Sequence, residues 1–244
     1  MSLEFHNDMT EVYCLPGTMC DGRLWQFIKP FLPQNIKLHD VELPIEGDLD
    51  ELVDSLIARL PKEASHYIGF SLGGYLLTEI ARKRPDMLKS AVLISNVGTK
   101  LPEAEKIQRQ QALEWVLKAG YRGIPSKKAR QMLSPEHQSC SELIQIISEM
   151  DKALGQEAFV AQLQATLDRR DNLDSIQSSR VEWLVLAGLS DQFLSPGRLK
   201  ELSNLTNVQV NVVAQSGHML PLEQPSWLAS KLSKFYGHSA QNKS

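Results

Sequence analysis

The chain has 244 residues, is 42% hydrophobic and 23% charged, and carries a net charge of −3. That suits one large soluble domain with a buried core, and it gives no electrostatic case for nucleic acid or an anionic membrane as partner. No apolar stretch reaches membrane-spanning length, MSLEFHNDMT lacks the basic-then-apolar order of a secretory leader, and Cys14, Cys20 and Cys140 form no CxxC pair, so a cytoplasmic protein is expected.

In chain order, EVYCLPG (11–17) is a β-rich run stopped by Pro16 and Gly17. IKLHDVELP (36–44) reads as a second strand. The next segment places Leu49, Leu52, Val53, Leu56, Ile57 and Leu60 at helical spacing, with Asp48 and Glu51 as a cap and Pro61 as the stop. SHYIG is a third strand, followed by helical GGYLLTEIARKRP. SAVLISNVG (90–98) is a near-continuous apolar strand of the kind buried in a parallel sheet. From about 100 to 178 the periodicity is helical only, with loop signals at GYRGIPS and LSPEHQS. Strands return at VEWLVLAG (181–188) and VQVNVVAQSG (208–217). A last helix aligns Leu228, Leu232 and Phe235, and HSAQNKS reads as a polar tail. The pattern predicts an α/β fold: a mostly parallel sheet flanked by helices, interrupted by a helical block.

GFSLGG (69–74) sits where the third strand becomes a helix. A serine there occupies a sharp turn with its hydroxyl presented at the carboxyl end of the sheet. Flanking glycines admit the close approach of strand and helix. GxSxG alone is short enough to arise by chance, as an ordinary turn, so Ser71 needs partners. A serine hydroxyl requires a base, and the base requires an orienting group. His218 lies in SGHMLPLEQP, on a loop directly after the last strand. His6 and His238 fall near the termini, His39 and His66 in or beside strands, and His137 in the helical block, so those five read as surface or structural histidines. Asp191, in LSDQF, follows the 181–188 strand; in isolation it would read as a turn residue. Together, Ser71, Asp191 and His218 each leave a different strand, in the chain order associated with one fold.

These motifs resemble the α/β-hydrolase superfamily, in its small capped carboxylesterase-like branch, which includes pimeloyl-carrier-protein methyl esterases and enol-lactonases. LPGTMCDGRLW resembles the oxyanion loop of that group and FVAQLQATLDRRD the end of its cap. The resemblance runs over residues 10 to 236 and is weak for substrate. It implies a core of residues 1–99 and 179–244 with a cap of residues 100–178. It also implies Ser71 as nucleophile, His218 as base and Asp191 as its orienter. The oxyanion would be held by the backbone N–H of Leu72 and, from the LPGT loop, of Thr18, with Met19 as the fallback. Many relatives have His-Gly where this chain has Pro16-Gly17, which leaves a backbone donor in place. Met19, Trp115, Phe159 and Leu163 are candidate substrate contacts; Arg122, Arg169 and Arg170 could meet a carboxylate or phosphate. Cys20 has no base beside it in sequence and reads as a pocket-lining or inert thiol.

The expected activity is cleavage of a small carboxylic ester or thioester through an acyl-enzyme. Two alternatives use the same scaffold: lyase or C–C bond hydrolase chemistry, and a non-catalytic ligand-binding role, which the retained trio disfavours. No metal or cofactor is expected, since neither ligand spacing nor a phosphate-cradling glycine motif occurs. The oligomeric state is not legible.

Overall fold

The computed structural model describes residues 9–241. The first eight residues of MSLEFHNDMT, His6 among them, lie outside those residues, as does the end of the polar tail. Strands β1 (Thr10–Leu15), β2 (Ile36–Asp40), β3 (Ser65–Phe70), β4 (Leu88–Ile94), β5 (Glu182–Gly188) and β6 (Val208–Val213) form one parallel sheet in the order β2-β1-β3-β4-β5-β6.

The apolar runs are explained by burial on both faces. Along β4, Val92 and Ile94 point into one core cluster while Ala91 and Leu93 point into the other; β5 alternates likewise, with Leu184 and Leu186 opposite Trp183 and Val185. One face is covered by α1 (Leu49–Arg59) and α2 (Leu72–Lys83). The expected Asp48–Glu51 capping box is formed at the start of α1.

Four helices run between β4 and β5: α3 (Glu103–Ala119), α4 (Ser126–Gln131), α5 (Ser141–Ala165) and α6 (Leu173–Ser178). Gly155, at φ 72°, breaks α5 into two helical pieces. Its first half packs Leu143, Ile144, Ile147 and Met150 into the second sheet-face cluster, together with Leu228, Leu232 and Phe235 of the last helix.

Two sequence expectations shorten. The strand from 90 ends at Ile94 and the strand from 208 at Val213, so both following segments are free to form loops. Among the described residues three helices follow β5: α7 (Pro196–Ser203) and α8 (Leu220–Glu223), which carry no strong periodic signal, and α9 (Pro225–Gln241), which extends past the expected end into the polar tail. Among the described residues no helix is long and apolar enough to cross a membrane.

Candidate active site

Because every strand is parallel, the loops after β1, β3, β5 and β6 leave the same edge of the sheet. Ser71 follows β3 with φ 48° and ψ −110°, a left-handed conformation uncommon for a residue with a side chain. Its N–H donates to Ile94 O at 2.8 Å, and its carbonyl accepts from Tyr75 N–H at 3.0 Å. The glycines around it are required by contact: a Cβ on Gly73 would fall 2.2 Å from Leu15 O, and one on Gly69 would fall 2.5 Å from the Gly73 backbone. The first turn of α2 lies directly on the ends of β1 and β3, and only hydrogen fits between them.

His218 Nε2 lies 2.9 Å from Ser71 Oγ, and its Nδ1 lies 2.9 Å from Asp191 Oδ2. The structure therefore brings the three residues into one hydrogen-bonded chain. Asp191 accepts at Oδ2, so Nδ1 carries the proton and the Nε2 lone pair faces the serine hydroxyl. The carboxylate is fully buried, and its Oδ1 accepts from Phe193 N–H at 2.9 Å. Phe70 and Phe193 flank the imidazole at 5.3 and 4.8 Å between ring centres. The main chain of the histidine is held at both ends: His218 N–H donates to Met132 O at 2.8 Å, and His218 O accepts from Ser95 Oγ at 2.8 Å. Such a chain lets an imidazole take a hydroxyl proton without moving. His39 is instead tied to Glu11, His66 to Ser90 and His137 to Ser134 and Glu223.

Among the described residues, neither Thr18 N–H nor Leu72 N–H has a hydrogen-bond acceptor. Met19 N–H does: it donates to Gln162 Oε1 of α5 at 2.9 Å. This corrects the fallback expectation for Met19, whose donor is already committed and whose side chain is buried. Burial pushes the Cys20 thiol up to about 12, so it stays protonated and unreactive.

Beside these groups lies a hollow of about 940 Å³, walled by Pro16, Cys20 and Gly22 of the β1 loop, the β2–α1 segment, and Ala153, Leu154 and Gln162 of α5. Ser71 is not among its walls; the hollow flanks the serine instead of containing it. Among the described residues, Asp21, Asp40, Glu42, Glu46 and Glu51 line it with one cation, Arg59; Asp21 also pairs with Arg23 and Asp40 with Lys29. None of the three arginines proposed for anion contact is there. Arg170 is consumed by Asp50 and Glu79, and Arg169 lies over the Tyr75 ring at 4.7 Å. Trp115 is 66% exposed, because α3 turns Leu113 and Val116 inward and leaves Trp115 on its outer face. Phe159 stacks on Tyr121 at 4.5 Å, and Leu163 is buried.

Sequence reasoning missed Gln162, which stands one place off the apolar stripe of Val160 and Leu163 and carries no motif. It also missed Glu223, a buried acid inside MLPLEQP whose apolar neighbours were the available signal.

A family model described as the alpha/beta hydrolase family matches residues 12–231. A pimeloyl-[acyl-carrier protein] methyl ester esterase of Aliivibrio fischeri is 27% identical over 95 residues, which cover 36% of this chain and 37% of that protein. The match thus spans little more than a third of that relative's length. Among solved structures, a thermophilic esterase from Thermogutta terrifontis superposes with a TM-score of 0.85 at 20% identity, over 95% of this chain and 91% of the other. A meta-cleavage product hydrolase from Pseudomonas fluorescens superposes with a TM-score of 0.73 at 19% identity, over 95% and 92%. At these identities the superpositions establish the fold.

Proposed function

The chain belongs to the alpha/beta hydrolase family, and we propose that within it this protein is a serine hydrolase, cleaving a small carboxylic ester or thioester through an acyl-enzyme. The observation that carries this reading is the Ser71–His218–Asp191 chain, with both links at 2.9 Å and the carboxylate fully buried. Ser71 Oγ attacks the carbonyl carbon as His218 Nε2 takes its proton, and Asp191 stabilises the imidazolium that forms. The carbonyl oxygen becomes an oxyanion, met by the free N–H groups of Thr18 and Leu72. Leu72 is also the first residue of α2, so the positive end of that helix faces the developing charge. The imidazolium then protonates the leaving alcohol or thiol. Water, deprotonated by the same imidazole, attacks the acyl-enzyme and regenerates Ser71.

The α3–α6 segment serves as the cap over this site: α4 meets the histidine loop through Met132 O, and α5 meets the β1 loop through Gln162. The named pimeloyl-[acyl-carrier protein] methyl ester esterase suggests an ester with a small leaving alcohol. The carboxylate lining of the flanking hollow favours a neutral or cationic group there over an anionic one. C–C bond hydrolysis with the same trio is the second reading, favoured by the likeness to the meta-cleavage product hydrolase.

A fluorophosphonate probe is expected to label the native protein at Ser71 alone, and p-nitrophenyl acetate to give a burst of nitrophenolate. Absence of labelling at Ser71 refutes the serine-hydrolase reading. Labelling without turnover of any ester or thioester, accompanied by cleavage of a vinylogous diketone, moves the assignment to the second reading.

A further inference from the structure

The loop after β1 contains a turn closed by Cys20 N–H donating to Gly17 O at 3.1 Å, with Thr18 and Met19 at its centre. Met19 has φ 55°, while Thr18 is not among the residues with positive φ. Positive φ at the third position alone defines the turn type in which the central peptide is flipped, and that position favours glycine. Here it holds a methionine. The sequence therefore disfavours the conformation that the loop adopts, and something outside the turn must hold it.

The central peptide of this turn is the one joining Thr18 C=O to Met19 N–H. Its N–H direction is what distinguishes the flipped turn from the common one. Gln162 Oε1 accepts that N–H at 2.9 Å, from a side chain 2% exposed on α5 and 143 residues along the chain. The residue that bears the acceptor sits on ordered backbone: Gln162 lies in the second half of α5, and its main-chain carbonyl accepts from Thr166 Oγ1 at 2.6 Å.

We propose that Gln162 is a positioning residue for acyl transfer, borne on the helical segment, which locks the Gly17–Cys20 turn in its flipped form. It thereby fixes Thr18 N–H toward the carbonyl oxygen bound at Ser71. The inference rests on the serine-hydrolase reading and adds that one side chain of α5 sets the geometry of the oxyanion site. Releasing the bond lets the central peptide reverse, which swings Thr18 C=O and loosens the donor beside it. A displacement of about 1 Å at such a donor costs about 100-fold in rate.

The test is a double-mutant cycle between positions 162 and 19. Gln162→Met keeps the side-chain length and removes the acceptor. Glycine at position 19 removes the steric reason for holding the turn. On p-nitrophenyl acetate, Gln162→Met is expected to lower kcat by about 10- to 100-fold with KM nearly constant. In a Met19→Gly background the same change should cost no more than about threefold, because glycine adopts the flipped turn unaided. A merely structural role for Gln162 would give equal losses in both backgrounds, and that result overturns the proposal, as does an unchanged kcat in Gln162→Met. If Gln162→Met does not fold, Gln162→Asn replaces it in the same cycle; its carbonyl falls short by one methylene. Fluorophosphonate labelling of the native protein at Ser71 separates failure of this inference from failure of the serine-hydrolase reading.

Discussion

The α3–α6 segment meets the site at two places that are built differently. On the histidine side the contacts run through main chain: His218 N–H and Met219 N–H both donate to Met132 O, at 2.8 and 3.3 Å. Glu223 reinforces them from below, accepting from Gly217 N–H at 2.8 Å and from Ser134 N–H at 2.7 Å. On the side of the β1 loop the link is a side chain, Gln162, reaching one backbone N–H. A carbonyl is present whatever residue occupies position 132, whereas an amide oxygen is present at 162 only while glutamine is there. The main-chain part of the histidine-side grip is thus tolerant of substitution, whereas its Glu223 support and the Gln162 link to the β1 loop each depend on one side chain.

The largest effects come from breaking the hydrogen-bonded chain that both grips serve. Ser71→Ala is expected to lower kcat on an activated ester by about a million-fold, leaving only background turnover. Asp191→Asn keeps the buried shape but favours the wrong imidazole tautomer, a change worth about ten-thousand-fold in a protease of the same logic. Near-native kcat in a folded Asp191→Asn protein would mean that another group orients His218.

Next in size is a break of the histidine-side grip. Glu223 is fully buried at its carboxylate and accepts from two backbone N–H groups and His137 Nδ1. Glu223→Gln leaves one oxygen and turns an N–H₂ toward a donor, which costs about 1–3 kcal/mol of stability. Thermal or urea unfolding checks this, with kcat falling alongside as the Gly217–His218 loop loosens. Met132→Ala sharpens the comparison: it removes a half-buried side chain but not the carbonyl, so kcat should stay within about twofold. A loss in Met132→Ala as large as in Glu223→Gln would mean that side-chain packing, not the main chain, holds the histidine.

The same division between main chain and side chain decides what the sequence made legible. The sheet could be read because apolar runs such as 91–94 are buried on both faces, a local property that needs no partner to be recognised. The loops carrying Ser71 and Asp191 could be placed because each follows such a run, and the loop carrying His218 because it follows the alternating strand β6. The helical block was legible as helix and no further. Its stripes say that Leu113 and Val116 are buried, and not against what, so Trp115 was assigned to an inner surface although it faces outward. Gln162 was invisible for a related reason. Its role depends on the φ of Met19, 143 residues away, and nothing local to FVAQLQA encodes that.

The smallest expected effect tests a third tether, remote from both grips. Where the helical segment returns to the core, Arg170 pairs with Asp50 of α1 at 2.5 Å and with Glu79 of α2 at 2.9 Å. The hydrogen bond from Arg170, followed by that from Lys83, holds the Asp50 carboxyl down at about 2. For Glu79 burial acts to raise the pKa, yet hydrogen bonds from Asn172, Tyr75 and Arg82 outweigh it and leave the group below its ordinary value. Both folded-state values are depressed relative to the unfolded chain, whose carboxyls titrate near about 4. The stabilisation is therefore complete above that value and drains away as pH falls through about 4 toward 2. Asp50 and Arg170 are both more than a third exposed, so solvent screens their pairing. Arg170→Met should cost only about 1 kcal/mol at neutral pH, or about 2–4 °C in Tm for a chain of this size. Because the variant lacks the interaction that acid removes from the native protein, the two melting curves should converge between about pH 4 and 2.5. A gap in Tm that stays constant over that range would show that Arg170 contributes through the packing of its aliphatic stem instead of through its charge.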